Sequence, residues 1–150
     1  MLKIGELALF LESRAVAARH GLLEVTHHLM DDVATDAKAL IGHEIDRWPP
    51  LADRTVAEKQ RLGYVGQISP TDPLLRTGDM RESIKPDAEL TAYGVEGVVG
   101  SGSKIALYQE MGTSRIPPRP FLAEAMAHIE HKARHEIELF GAALLRPPVI

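Results

Sequence analysis

The chain has 150 residues with 17 Lys and Arg against 21 Asp and Glu, a formal net charge of -4. That length fits one domain with a real core, and the acidic balance argues against a dedicated nucleic-acid binder, which is usually basic. There is no cysteine, so no disulfide framework or thiolate chemistry is expected, which suits a reducing cytosol.

The N-terminal run "MLKIGELALFLESRAVAARHG" has one early lysine and a short apolar block interrupted by Glu6 and Glu12. It reads as structure rather than as a signal peptide. No apolar run approaches the ~20 residues of a membrane helix. Residues up to about 46 read as helix. Leu22, Val25, Leu29, Val33, Ala37, Leu40 and Ile41 recur at threes and fours, and Gly21 is expected to break this helix from a shorter one before it. "WPPL" then stops helix growth, because proline lacks the amide donor and restricts the residue before it.

A small helix follows, with Thr55 and Glu58 read as a capping box and Gly63 as its closing residue. "YVGQISPTDP" reads as loop. Thr77 is expected to cap a one- or two-turn helix with Asp79 near its positive end. Residues 83 to 100 hold β-branched residues with alternation and predict two or three antiparallel strands. "SKIALYQEM" predicts a short helix ending at Gly112.

Ile116, Pro117 and Arg119 each precede a proline and are pushed to extended geometry. Pro120 suits a first helical position. Leu122, Met126, Ile129, Ala133, Ile137, Phe140 and Leu144 mark one face of a long C-terminal helix, and "RPPVI" reads as an extended end. The fold class is therefore α+β in a single domain over 1–150: a helical N-terminal half, a small antiparallel sheet and a long C-terminal helix.

Several patterns invite chemistry. "VEGVVGSGSKIAL" imitates a phosphate loop, but Ser103 and Lys104 stand in the wrong order and no βαβ pattern surrounds them. His128, His131 and His135 lie within about a quarter turn of one another on a helix, with Glu124 on the same stripe, a spacing that can hold zinc or nickel. The plain reading is a solvated or subunit-facing stripe opposite the apolar face. "HEIDR" and "HEIEL" lack the second histidine of a zinc-protease motif. No nucleophile elbow is present. "PDAEL" with Glu96 only faintly imitates a metal-dependent nuclease, and Asp31, Asp32 and Asp36 read as a solvated helix face. In "LLRTGDMRESI", Arg76, Asp79, Arg81 and Glu82 are either part of a capped turn or pair with another subunit. "MGTSRIPPRP" is stiff, which suits an interface, since an ordered loop loses less entropy on binding. An exposed Arg119 there would form bidentate pairs with a carboxylate.

The order of these segments carries a resemblance. "WPPLADRT", "PLLRTGDMRESI", an apolar β segment ending "VVGS", "ALYQEMGT" and "IPPRPFLAEAM" follow one another. Over roughly residues 40 to 126 the chain resembles the tail-completion and virion-morphogenesis proteins of long-tailed bacteriophages and prophages. Their T-G-x-L-x-x-S-I element matches Thr77, Gly78, Met80, Ser83 and Ile84, with methionine in place of the usual leucine. Their Y-x-x-x-x-E-x-G-T-like segment corresponds to Tyr108, Glu110, Gly112 and Thr113, with one residue rather than four between tyrosine and glutamate. Their P-x-R-P-F-L helix entry matches Pro117, Arg119, Pro120, Phe121 and Leu122. "LYQEMGT" mixes features of two related tail-protein groups.

The resemblance implies a structural protein rather than an enzyme, without cofactor or metal. It implies a ring or adaptor of about six copies built on heterologous contacts. The implied partners are tail-tube, tail-terminator or head-connector proteins, and the implied place is the virion, reached from the host cytoplasm. The residues expected at the subunit or partner interface are Arg76, Asp79, Arg81, Glu110, Thr113, Arg115, Arg119 and Phe121. The contrasting readings are a cytoplasmic metal- or nucleotide-binding enzyme, using His128, His131 and His135 or the Gly97–Lys104 loop, and a helical adaptor unrelated to phage.

Overall fold

The computed structural model describes residues 4–43, 47–63 and 70–145. The elements are α1 (Ile4–Leu40), α2 (Asp53–Leu62), α3 (Asp79–Glu82), β1 (Ile84–Leu90), β2 (Val95–Ser101), α4 (Lys104–Met111) and α5 (Phe121–Leu145). This is the expected α+β arrangement: helices first, a two-stranded antiparallel sheet, then a long C-terminal helix. The ends of the expected N-terminal helix (44–46), most of the expected loop (64–69) and the expected extended tail (146–150) lie outside the described residues.

The N-terminal half is one helix of 37 residues rather than two, about 55 Å long at 1.5 Å per residue. Gly21 does not break it. A Cβ at Gly21 would lie 2.6 Å from the Phe140 ring. The glycine therefore serves the close approach of α5, and tertiary packing outweighs its weak helix propensity. α1 and α5 run antiparallel. Arg14 donates to the Leu144 carbonyl at one end, and Asp32 and Asp36 receive Lys132 and His128 towards the other.

β1 and β2 pair from Ile84↔Ser101 to Leu90↔Val95. One sheet face lies on α1: Ile84 and Ala88 are buried, and a Cβ at Gly97 would meet Thr26 and Met30 at under 3 Å. Arg19 of α1 donates to the Thr91 carbonyl at the hairpin tip. The core gathers Val33 and Ala37 of α1, Met80 of α3, Ile84 of β1, Ala106 of α4, and Phe121 and Ala125 of α5, with Ile41, Trp48 and Leu75 from the connections.

Four local expectations are corrected. α2 begins at Asp53 after an extended Ala52, with no side-chain cap, so Thr55 and Glu58 form no capping box. The Thr55 amide instead donates to the Ala52 carbonyl. α3 is preceded by Gly78 at φ 91°, and the Thr77 hydroxyl donates to the Asp79 carboxylate rather than capping an amide. α5 begins at Phe121, and Pro120 stands just outside, accepting the Glu124 amide. Its buried face runs through Phe121 and Ala125 and then Ile129, while Met126 and Ile137 are about half exposed. Leu122, Ile129, Ala133, Phe140 and Leu144 of the expected face are half-buried, and small Ala125 joins them fully buried in the core. Gly63 closes α2 with φ 65°, Ser103 caps α4 by accepting the Ile105 amide, and Gly112 follows α4.

Candidate functional site

Two neighbouring features are built where α2, α3, α4 and the start of α5 meet. The first is a joint. The WPP turn cannot offer amides at its prolines, so its carbonyls need a donor from elsewhere. Arg119 supplies it. Its Nε and Nη2 donate to the Pro49 carbonyl at 3.2 and 2.7 Å, and Nη2 also reaches Pro50 at 3.1 Å. The Arg119 amide donates to the Gln109 carbonyl at 2.6 Å. Only 4% of the residue is exposed, and burial pulls the guanidinium below its ordinary value. Arg47 next to Trp48 pairs with Glu124 at 2.6 Å, tying the same turn to α5.

Glu110 closes the joint. Its two carboxylate oxygens accept from the Leu122 and Ala123 amides, both at 2.9 Å. These are the donors that an N-cap side chain normally satisfies, and Pro120 has none to offer. The linking loop is shaped by Thr113, whose hydroxyl accepts the Arg115 and Ile116 amides. At Gly112, φ is 74° and a Cβ would meet the Pro118 nitrogen at 2.9 Å, so only glycine fits.

The second feature is a cavity of about 590 Å³ beside the joint, lined by α2, residues 74–80, Ser83, and α4 with the turn before it. Its apolar lining includes Leu51, Leu75, Met80 and Ile105, and its polar lining includes Arg76, Asp79 and Gln109. Arg76 is 64% exposed and lies 3.9 Å from Glu58, a loose pair. Lys59 is buried and donates to the Asp72 carbonyl. Desolvation lowers its pKa, partly offset by the Asp72 charge. The Gln109 Oε1 is buried without a hydrogen-bond partner, as is the Trp48 indole N–H, but only Gln109 lines the cavity.

The eight expected interface residues separate accordingly. Arg76 and Asp79 stand together at the cavity. Glu110, Arg119 and Phe121 meet in the joint. Thr113 shapes the loop, and Arg115 is exposed on it. Arg81 is 3.9 Å from Glu82 and is not part of the cavity lining. Arg119 is not the exposed arginine anticipated, and Phe121 is fully buried. Their motif geometry serves the fold, because the proline carbonyls and the helix entry claim them. Gln109, Lys59 and Leu51 carried no sequence signal: each lies in a segment whose periodicity names only its apolar neighbours.

The other candidates also resolve. His128 Nδ1 is 2.8 Å from Asp36, so it faces α1 rather than a solvated stripe with His131 and His135, and Glu124 is held by Arg47. Among the described residues, no group of three His, Asp or Glu could hold a metal ion. Gly97 is inside β2, packed on Thr26 and Met30, not in a loop. Asp32 and Asp36 face α5 through Lys132 and His128. No described helix is long and apolar enough to cross a membrane.

No family model matches the chain, and neither a curated protein nor a solved structure matches it.

Proposed function

We propose that the chain is a structural virion-morphogenesis protein that completes the tail of a long-tailed phage or joins tail to head, as a ring or adaptor subunit. The observation that carries this reading is the ordered set of segments from "WPPL" to "IPPRPFL". It is supported by the way these segments meet: Trp48, Gln109, Glu110, Arg119 and Phe121 form one joint between the WPP turn, α4 and α5. Such a joint fixes the angle at which α5 leaves the body. An adaptor needs that rigidity, because its contacts must recur identically around a symmetric particle. Arg76, Asp79 and Arg115 remain outward and are the residues offered to a neighbour. The protein works by binding, with no catalytic step and no cofactor. Its partners are tail-tube, tail-terminator or head-connector proteins, met in the host cytoplasm and retained in the virion.

Negative-stain microscopy of particles from a strain lacking this gene tests the reading. Separate filled heads and free tails are expected, restored by the wild-type gene but poorly by Arg76→Glu. Intact infectious particles without the gene would overturn it.

A further inference from the structure

The β1–β2 hairpin carries a projection at one end and the cavity at the other. At its tip Tyr93 is fully exposed. The tip is ordered: the Thr91 amide donates to Gly94, the Tyr93 amide to the Thr91 hydroxyl, and Arg19 holds the Thr91 carbonyl. At the opposite end, Ser83 and Gly102 flank the ladder and line the cavity. The projection and the cavity are therefore held roughly 25 Å apart by one seven-residue ladder at 3.4 Å per residue.

Their chemistries are complementary. The cavity offers an apolar lining and one buried acceptor without a donor, Gln109 Oε1. A phenol is an apolar ring ending in a donor. The outer face of the hairpin sets Glu89 directly opposite Glu96, both exposed. Like charges facing each other across a ladder destabilise it. Arg76 at the cavity is largely exposed and only loosely held by Glu58, so a hairpin tip seated there brings the two carboxylates to a weakly paired cation.

We infer that the cavity receives the hairpin tip of a second copy of this chain, with Tyr93 of one molecule donating its hydroxyl to Gln109 of the next. The contact uses different surfaces on the two molecules. It is heterologous, and its repetition closes a ring or extends a filament. This inference rests on the ring or adaptor reading above and names the contact that builds it.

Self-association of the purified full chain is measured by sedimentation from micromolar to millimolar concentration. Wild type is expected to form concentration-dependent oligomers. Tyr93→Ala is expected to weaken association roughly thirtyfold, as loss of an aromatic anchor does, and Tyr93→Phe by less. Thr55→Trp, at an exposed α2 position on the cavity lining, is expected to block the cavity without touching the core. Each variant alone then associates only weakly, whereas a mixture of Tyr93→Ala and Thr55→Trp forms dimers, and nothing larger, at concentrations where neither alone associates, because one has a working cavity and the other a working tip. A wild-type chain that stays monomeric at millimolar concentration, or oligomers indifferent to both variants, would overturn the inference. Those outcomes leave the particle phenotype of the deletion strain untouched. Intact particles from that strain, with Tyr93-dependent association in solution, would remove the morphogenesis role and keep the contact.

Discussion

Glu110 caps a helix to which it does not belong: its carboxylate accepts the Leu122 amide at 2.9 Å and the Ala123 amide at the same distance. The loop 112–120 and the start of α5 are thereby folded back on α4. Removing the carboxylate leaves two amides without an acceptor at the positive end of a 25-residue helix. Glu110→Ala is expected to cost about 1–2 kcal/mol, and Glu110→Gln, which keeps one acceptor and loses the charge, less. Thermal melting of the two variants checks the order.

Arg119→Ala is expected to impair folding itself. It strands the Pro49 and Pro50 carbonyls and opens a void beside Gln109. Hydrogen bonds from a charged donor are worth about 1.5–3 kcal/mol, so a loss of at least that size is expected in urea unfolding. Arg119→Lys is expected to recover only part of it, because an ammonium cannot span both carbonyls as the planar fork does. An unchanged midpoint for Arg119→Ala would refute its role in the joint.

Two glycines of β2 separate packing from propensity. Gly97 lies under 3 Å from Thr26 and Met30 for any added Cβ, while Gly100 has open space. Gly97→Val is expected to force α1 off the sheet and cost about 1–3 kcal/mol. Gly100→Val is expected to be neutral or slightly stabilising, since valine favours strands. Equal effects in chemical unfolding would contradict the close helix–sheet approach.

Lys132 provides a pH handle on the α1–α5 contact. Its hydrogen bond to Asp32 raises its pKa above 10.5. A lysine whose folded pKa is raised contributes stability that is fully present below its unfolded value and is lost as pH climbs through the folded one. The wild-type advantage over Lys132→Met is therefore expected to be constant up to that range and to vanish above it. Lys132 is solvent-accessible, so the advantage is small and shrinks with salt. An advantage that grows with alkalinity would reverse the assignment.

Element identity was legible wherever an apolar period ran long: α1 below Gly21, the hairpin, α4 and α5 all stand where periodicity put them. Gly21 misled because propensity speaks only of the local chain, whereas Phe140, more than a hundred residues away, decides what that position needs. Arg119 misled for a related reason. A charged residue between prolines looks exposed until the carbonyls of another proline pair claim it. The cavity was half legible: Arg76 and Asp79 came from a polar run, but Gln109 and Lys59 acquire their environment only from tertiary contacts. The expected face of α5 holds at Leu122, Ile129, Ala133, Phe140 and Leu144, but Met126 and Ile137 are exposed and Ala125, too small to stand out in an apolar pattern, is fully buried.

The pairing of Arg14 with the Leu144 carbonyl spans 130 positions of sequence. A contact of that range has a kinetic consequence. Closing so long a loop is slow, and local contacts must form first. On the ribosome, α1 is made at the outset, but its sheet partner is complete only at Ser101 and its helix partner only at Leu145. Through that interval a long helix whose Val33 and Ala37 are buried in the finished fold stands uncovered. The nascent chain is thus most prone to aggregation during the middle of its own translation, and chaperone dependence should fall once α5 is complete.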